Sequence, residues 1–268
     1  MNSVMDVDLA KIVEQAEIDC LSSRLSAIQE IAGNPMGVDI KQFGNATAFS
    51  VKNIPGPSFN TIKGLHNEDN DFIEQIIDYY NEKKIPIRFE LTPAHVSSEI
   101  LTYLNDLGFY QCDFHTTLYQ TGTKIEIPSY EGVLIRKIKE DEFDIFADIY
   151  TRGFQMPSFL KEGVAQNNSI LFNKEGWTFY LASVNDVAAG IGVLYQKNGI
   201  ANLAAAATSP EHRGKGVQSA LIKERIKQAM VDNCQLVVGQ AKFGSTSQRN
   251  MERLGMKIAY TKAIWVRK

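Results

Sequence analysis

Thr208-Ser209-Pro210-Glu211-His212-Arg213-Gly214-Lys215-Gly216-Val217-Gln218-Ser219-Ala220-Leu221 closes an apolar run with strand character and opens a run with helical spacing. A helix start exposes backbone amides that have no partner within the helix, at the positive end of its dipole, so it holds anions. Gly214 and Gly216 allow the backbone close approach and conformations that other residues resist, and Arg213 and Lys215 add positive charge. The segment reads as a seat for paired phosphates; a surface turn that uses its glycines for geometry alone is the competing reading. A nucleoside-triphosphate loop needs Gly-x-x-x-x-Gly-Lys-Ser/Thr, which is not met. A dinucleotide fold needs a third glycine and an acid closing the next strand. Here Ser219 and Gly239-Gln240 occupy those places.

Upstream, Trp177–Val184, Ala188–Tyr195 and Ile200–Ala207 are strand-like and are separated by Asn185-Asp186 and Asn198-Gly199, turn pairs that predict a three-strand antiparallel meander. Before them come a strand at Val133–Ile138, a helix beginning near Glu140, and a stretch rich in Gly, Asn and Pro read as a loop. Downstream the pattern is helix Gln218–Val231, strand Leu236–Gln240, helix Thr246–Leu254, Gly255 and a last strand Ile258–Val266.

The first half has its own set: a helix over Leu9–Ile31, strands Val38–Phe43 and Thr47–Val51 about the turn pair Gly44-Asn45, a helix Asp71–Lys83, a strand Ile85–Leu91 and a helix Ser97–Leu107 ended by Gly108. Gly108 and Gly255 stand 147 positions apart, and at that offset Ile87–Tyr110 lies over Cys234–Lys257 without a gap. Leu107-Gly108-Phe109 then matches Leu254-Gly255-Met256. The shared strand–helix–glycine–strand order points to a duplication, and so to an α+β chain of two similar domains, 1–125 and 131–268, joined by a linker within Gln120–Ser129. At the same offset Gly214–Gln218 falls over Asn67-Glu68-Asp69-Asn70-Asp71. Three acids there repel a diphosphate by roughly 1 kcal/mol per pair even in bulk water, so a single phosphate site per chain is expected.

Bulk properties remove several classes of function. The net charge of −3 over 268 residues, with mixed signs, gives no electrostatic case for nucleic acid. Arg136-Lys137-Ile138-Lys139 is followed at once by Glu140, Asp141 and Glu142, as at a solvated strand end. Cys20, Cys112 and Cys234 are an odd, scattered set that suits a reducing compartment, and the cytoplasm is expected. The four histidines have no metal-ligand spacing, so no metal is expected. No apolar run approaches the ~20 residues that span a bilayer.

With its flanking elements, the quoted stretch resembles the acetyl-CoA motif of the GNAT (GCN5-related N-acetyltransferase) superfamily, Arg/Gln-x-x-Gly-x-Gly/Ala, met here as Arg213-x-x-Gly216-x-Gln218 with Gln in the last place. The resemblance covers roughly Gly132–Lys268. The first half resembles the degenerate partner domain of tandem GNAT proteins, chiefly through Leu91-Thr92-Pro93 and Leu107-Gly108-Phe109. Each domain is then expected to be a mixed, mainly antiparallel twisted sheet flanked by helices.

The resemblance implies acetyl-CoA as the acyl donor and direct attack by an amine of a small molecule or peptide. The pantetheine arm would lie along the strand ending Ala206-Ala207-Thr208, with a backbone amide near Ala207 facing the thioester oxygen. Arg213, Gly214, Lys215, Gly216, Val217, Gln218 and Ser219 would hold the pyrophosphate, and Asn250 would border the cofactor. The family's usual proton-donating Tyr falls on Met251 and its usual Asn on Gly244, so no catalytic residue is assigned. Ser245 and Ser247 suit helix capping better than catalysis. Tyr195 and Tyr260 are possible donors from neighbouring strands, and each suits core packing equally well. Phe154, Phe159 and Phe172 either line an acceptor cleft or pack a core. A non-catalytic acyl-CoA-binding or sensing module is the alternative function.

Overall fold

The computed structural model describes residues 4–54, 56–122 and 132–267. They divide into two compact units. One comprises residues 118–122, 132–240 and 244–257, and the other 4–117, 241–243 and 258–267.

The N-terminal unit begins with helix α1 (Val7–Gln29), whose start is capped by the Asp6 carboxylate accepting the Leu9 amide at 2.8 Å. Strands β1 (Val38–Phe43) and β2 (Ala46–Val51) form a hairpin about Gly44-Asn45, and β3 (Thr61–Lys63) pairs antiparallel with β2. A 3₁₀ turn over Asn67–Phe72 leads into α2 (Ile73–Lys83), followed by β4 (Arg88–Leu91), α3 (Ser98–Asp106) and β5 (Phe109–Thr121). Phe43, Ile62, Ile76, Tyr80, Phe89, Leu104 and Phe109 form its buried core.

The other unit holds β6 (Val133–Lys137), α4 (Phe143–Gly153), α5 (Lys161–Ser169), β7 (Trp177–Val184), β8 (Val187–Lys197), β9 (Ile200–Thr208), α6 (Val217–Val231), β10 (Leu236–Lys242) up to Gln240, and α7 (Thr246–Arg253). Its strands run in the order β10-β9-β8-β7-β6. The meander is as its turns predict: Asn185, Asp186, Asn198 and Gly199 all have left-handed φ, which two-residue hairpin turns require. Arg136 and Glu142 make paired 2.6 Å contacts on the surface, the solvated strand end expected there. Residues 161–169, read from sequence as loop, are helical. Gly163, Asn167 and Asn168 carry weak helix propensity, and packing against α4 holds the segment helical in spite of it.

The last strand, β11 (Lys257–Arg267), pairs antiparallel with β4, Ala263 opposite Leu91 and Val266 opposite Arg88. The boundaries 1–125 and 131–268 assign this strand to the C-terminal half, whereas its contacts put residues 258 onward in the N-terminal unit, whose order is β1-β2-β3-β4-β11-β5. Spacing identifies a strand but not its neighbour, because pairing choice depends on contacts far along the chain. Of the linker expected over Gln120–Ser129, Gln120 and Thr121 close β5 and residues 123–129 lie outside the described residues. The 147-residue repeat holds in detail: α3 and α7 align within one residue, and Gly108 (φ +86°) and Gly255 (φ +89°) end them alike.

Candidate functional site

Helices lie on both faces of the β7-β8-β9 meander. A Cβ at Gly190 or Gly192 would meet Val217, Leu221 and Arg225 of α6. Ala207 pairs with Ile191, on the other face, and there a Cβ on Gly153 of α4 would stand 2.8 Å from the Ala207 Cβ. The small residues of β9 and β8 are therefore contact surfaces for two helices.

β9 pairs in parallel with β10 only from Ile200↔Leu236 to Leu203↔Gly239, yet β9 runs on to Thr208. It also carries a bulge. Against β8 the register passes from Val193↔Ala205 to Tyr195↔Asn202, three steps on one strand for two on the other. Beyond it the Ser209 amide donates to the Ala189 carbonyl at 2.9 Å. Alternation along β9 then turns the polar groups of Ala205 and Ala207 toward β8, and those of Ala206 and Thr208 toward the open edge. The free amides beside Ala207 are thus those of Ala206 and Thr208.

The turn after β9 is braced from within. The buried Ser209 hydroxyl lies 2.9 Å from Nδ1 of His212 and donates to the Ala189 carbonyl. Arg213 donates to the Gly153 carbonyl at 2.9 Å, and Arg152 donates twice to the Glu211 carboxylate, both at 2.8 Å, so the turn is tied to the end of α4. Gly214 and Gly216 sit at φ +78° and +77°, the left-handed region that penalises any side chain. Gly216 is the N-cap of α6 and supplies no side chain to its first turn.

The open edge of β9, the turn and the start of α7 surround a cavity of about 750 Å³, a size typical of ligand sites. Ala206, Ala207, Thr208, Arg213, Gly214, Gly216, Val217, Gln218, Ser219 and Asn250 line it; Lys215 is exposed and stands outside the lining. Phe154, one of the three phenylalanines weighed for a cleft, lines it too, as does His212 beside Arg213; sequence reasoning missed Gly153, Thr246 and Arg253, which come from elements that only folding brings together. The Gln218 side chain donates to Ser247 at 3.1 Å and accepts from Asn250 at 2.7 Å, while Arg253 donates to Asn250 at 3.1 Å. The amide that stands in place of Gly/Ala thus ties α6 to α7.

The side chains weighed for proton transfer have structural partners. Met251 is buried, its sulfur 3.0 Å from where a Gly239 Cβ would lie. Ser245 caps α7 by accepting the Gln248 amide, and Gly244 donates to the Gln248 side chain. Tyr195 is buried with its ring 4.6 Å from Trp177. Tyr260 belongs to the N-terminal unit, where its hydroxyl lies 3.4 Å from Glu17 and burial first, then that carboxylate, raises its pKa. Neither tyrosine is part of the lining. Phe172 is half-buried and packs edge-on to the buried Phe143, Phe154 borders the cavity, and Phe159 is 79% exposed.

The N-terminal unit fills the corresponding places with its own carboxylates. Residues 67–72, opposite the glycine turn in the repeat, form a 3₁₀ turn whose Asp69 is buried and accepts the amides of Asn45 and His66, both at 2.8 Å, and the Asn45 side chain at 3.1 Å. β3 and β4 are parallel through a single pair, Ile62↔Phe89, and next to it Glu14 of α1 accepts the Gly64 amide and the Thr92 hydroxyl. An internal anion occupies the backbone donors that a bound anion needs.

Among the described residues there is no cluster of metal-ligating side chains, and no helix is long and apolar enough to cross a membrane. A profile of the acetyltransferase (GNAT) family matches residues 140–256. Comparison with curated protein sequences finds no match. Among solved structures, the chain is similar to a GCN5-related N-acetyltransferase from Sphaerobacter thermophilus, at 15% identity and a TM-score of 0.62, covering 93% of this chain and 92% of that one. It is similar also to a tandem GNAT protein from the clavulanic acid biosynthesis pathway, at 9% identity and a TM-score of 0.60, covering 96% and 94%. A functionally unknown conserved protein from Staphylococcus epidermidis shares 14% identity at a TM-score of 0.62, with 90% and 96% covered. At such identities the likeness is one of fold.

Proposed function

We propose, because residues 140–256 match the acetyltransferase (GNAT) family profile and the fold is like that of a tandem GNAT protein, that this chain transfers an acetyl group from acetyl-CoA to an amine of a small molecule or peptide. One observation carries the reading: the free edge of β9 and the uncapped start of α6 open into the same cavity. The α6 amides, with Arg213 beside them and Lys215 at the rim, seat the pyrophosphate. The pantetheine arm lies against Ala206–Thr208 as an added strand, and the Ala206 amide faces the thioester oxygen as negative charge develops on it. The attacking amine arrives on the Phe154 side. With the buried Met251 in the place of the family's proton-donating tyrosine, water protonates the departing thiolate. The three cysteines are free, and we place the protein in the cytoplasm.

A second reading, a non-catalytic acyl-CoA sensor, is favoured by Met251 packing into the core where a proton-donating tyrosine would stand. Two measurements separate the readings. Calorimetry with CoA gives saturable binding for either, and no binding sinks both. Amine-dependent release of thiol from acetyl-CoA over a panel of amines occurs only for the enzyme.

A further inference from the structure

Arg225 lies on α6, is 1% exposed, and donates to three backbone carbonyls: Leu221 at 3.0 Å, Val193 at 3.1 Å and Ala205 at 2.9 Å. Val193 and Ala205 face each other across β8 and β9 at the point where the register slips. In an unbroken ladder such carbonyls accept the opposite strand's amides. Here both also accept from one guanidinium nitrogen. Gly192 leaves the room for it, since a Cβ there would stand 3.1 Å from the Arg225 Nε.

A buried cation is costly, and burial pulls this one down to a pKa of about 10, still charged at neutral pH. An apolar side chain of similar length fills the same space without that cost, but it removes the charged donor from both carbonyls at the bulge. The Ala205 carbonyl belongs to the same peptide group as the Ala206 amide. A hydrogen bond from a charged donor to one end strengthens the other end as a donor.

We propose that Arg225 is a positioning residue for acyl-CoA, its guanidinium holding the bulge of β9 open so that the edge amides of Ala206 and Thr208 meet the pantetheine arm. The inference rests on the cofactor reading above and adds to it a residue that touches neither cofactor nor acceptor.

The test is calorimetry of the full chain and its R225M and R225K variants with two probes: CoA, and 3′,5′-ADP, which has the nucleotide and phosphates but no pantetheine arm. Wild type binds CoA more tightly than 3′,5′-ADP. R225M loses CoA affinity roughly tenfold, the scale of one good hydrogen bond, while its affinity for 3′,5′-ADP stays within about twofold. R225K, which keeps the charge but has no fork, recovers part of the loss. A merely structural role weakens both probes in parallel or neither, and either result overturns the proposal. Should R225M fail to fold, R225K decides by the same pair: a selective loss for CoA supports the role, and a parallel loss or none ends it. A wild type that binds no CoA sinks the cofactor reading itself, whereas wild-type binding matched by R225M sinks this inference alone.

Discussion

Lys262 donates to the Glu90 carboxylate at 2.9 Å, joining the last strand of the chain to a strand 172 residues earlier, and both side chains are buried. Lys262 also contacts Glu17 of α1, and Lys63 contacts both acids, so two carboxylates and two ammonium groups meet between α1, β3, β4 and β11. Thr117 donates to Glu17 at 2.6 Å. Removing one member strands charge that the rest of the cluster balanced. Lys262→Met is expected to cost about 3–5 kcal/mol in urea unfolding. A fragment ending at residue 122 lacks β11 altogether and should show no cooperative unfolding by circular dichroism. A cooperative transition in that fragment refutes the account of β11 as an integral strand of the N-terminal unit.

The same cluster predicts how stability changes with pH. Burial raises the pKa of Glu17 and Glu90, but Lys262 and Lys63 overcome it and hold both below the usual carboxylate value of 4.5. Their contribution is present above that value and is lost as pH falls below it. His115 acts earlier. Burial, with Lys262 nearby, lowers it from 6.5 to about 4. The unfolded chain therefore takes up a proton as pH falls through 6.5, while the folded ring does so only near pH 4, and stability drops across that window. Urea midpoints measured from about pH 8 to about pH 4 should fall in two stages, and His115→Gln should flatten the stage between roughly pH 6.5 and 4.5.

Gly153 sets how closely α4 approaches β9 at the cavity. A methyl group there would stand 2.8 Å from the Ala207 Cβ and 3.3 Å from the Thr208 carbonyl oxygen, neither of which is a flexible side-chain end. Gly153→Ala should cost about 1–3 kcal/mol of stability and weaken CoA binding by displacing the edge of β9. Unchanged thermal unfolding and unchanged CoA calorimetry together contradict that geometry.

The turn at 213–218 is testable by charge and by backbone separately. Lys215→Glu with Gly216→Asp brings two carboxylates to the phosphate seat and should abolish CoA binding while the far-ultraviolet spectrum is kept. Gly216→Ala adds no charge, but it forces a side chain into φ +77°, at roughly 1–2 kcal/mol. It should weaken CoA binding by about tenfold at most. Normal binding by the double variant refutes the seat.

The sequence by itself determined whatever rests on local chemistry. The glycines of 214–216 imply left-handed backbone before a helix, the Asn-containing pairs imply tight hairpins, and the 147-residue repeat implies two copies of one unit. Helix and strand periodicity follow from near neighbours, so they are written locally. Tertiary structure alone decided which elements meet. Lysine at 262 carries no mark of the acid 172 residues away, and a strand's spacing says nothing of the edge it joins, so β11 was legible as a strand but not as a neighbour of β4. Arg225 stands four and eight residues after Leu221 and Val217, on their buried stripe, and a charge is ordinarily solvated. Only the slipped register of β9 supplies the carbonyls that make its burial tolerable. A hydrogen bond between distant segments depends on the folded path of both, and that path is a property of the whole chain.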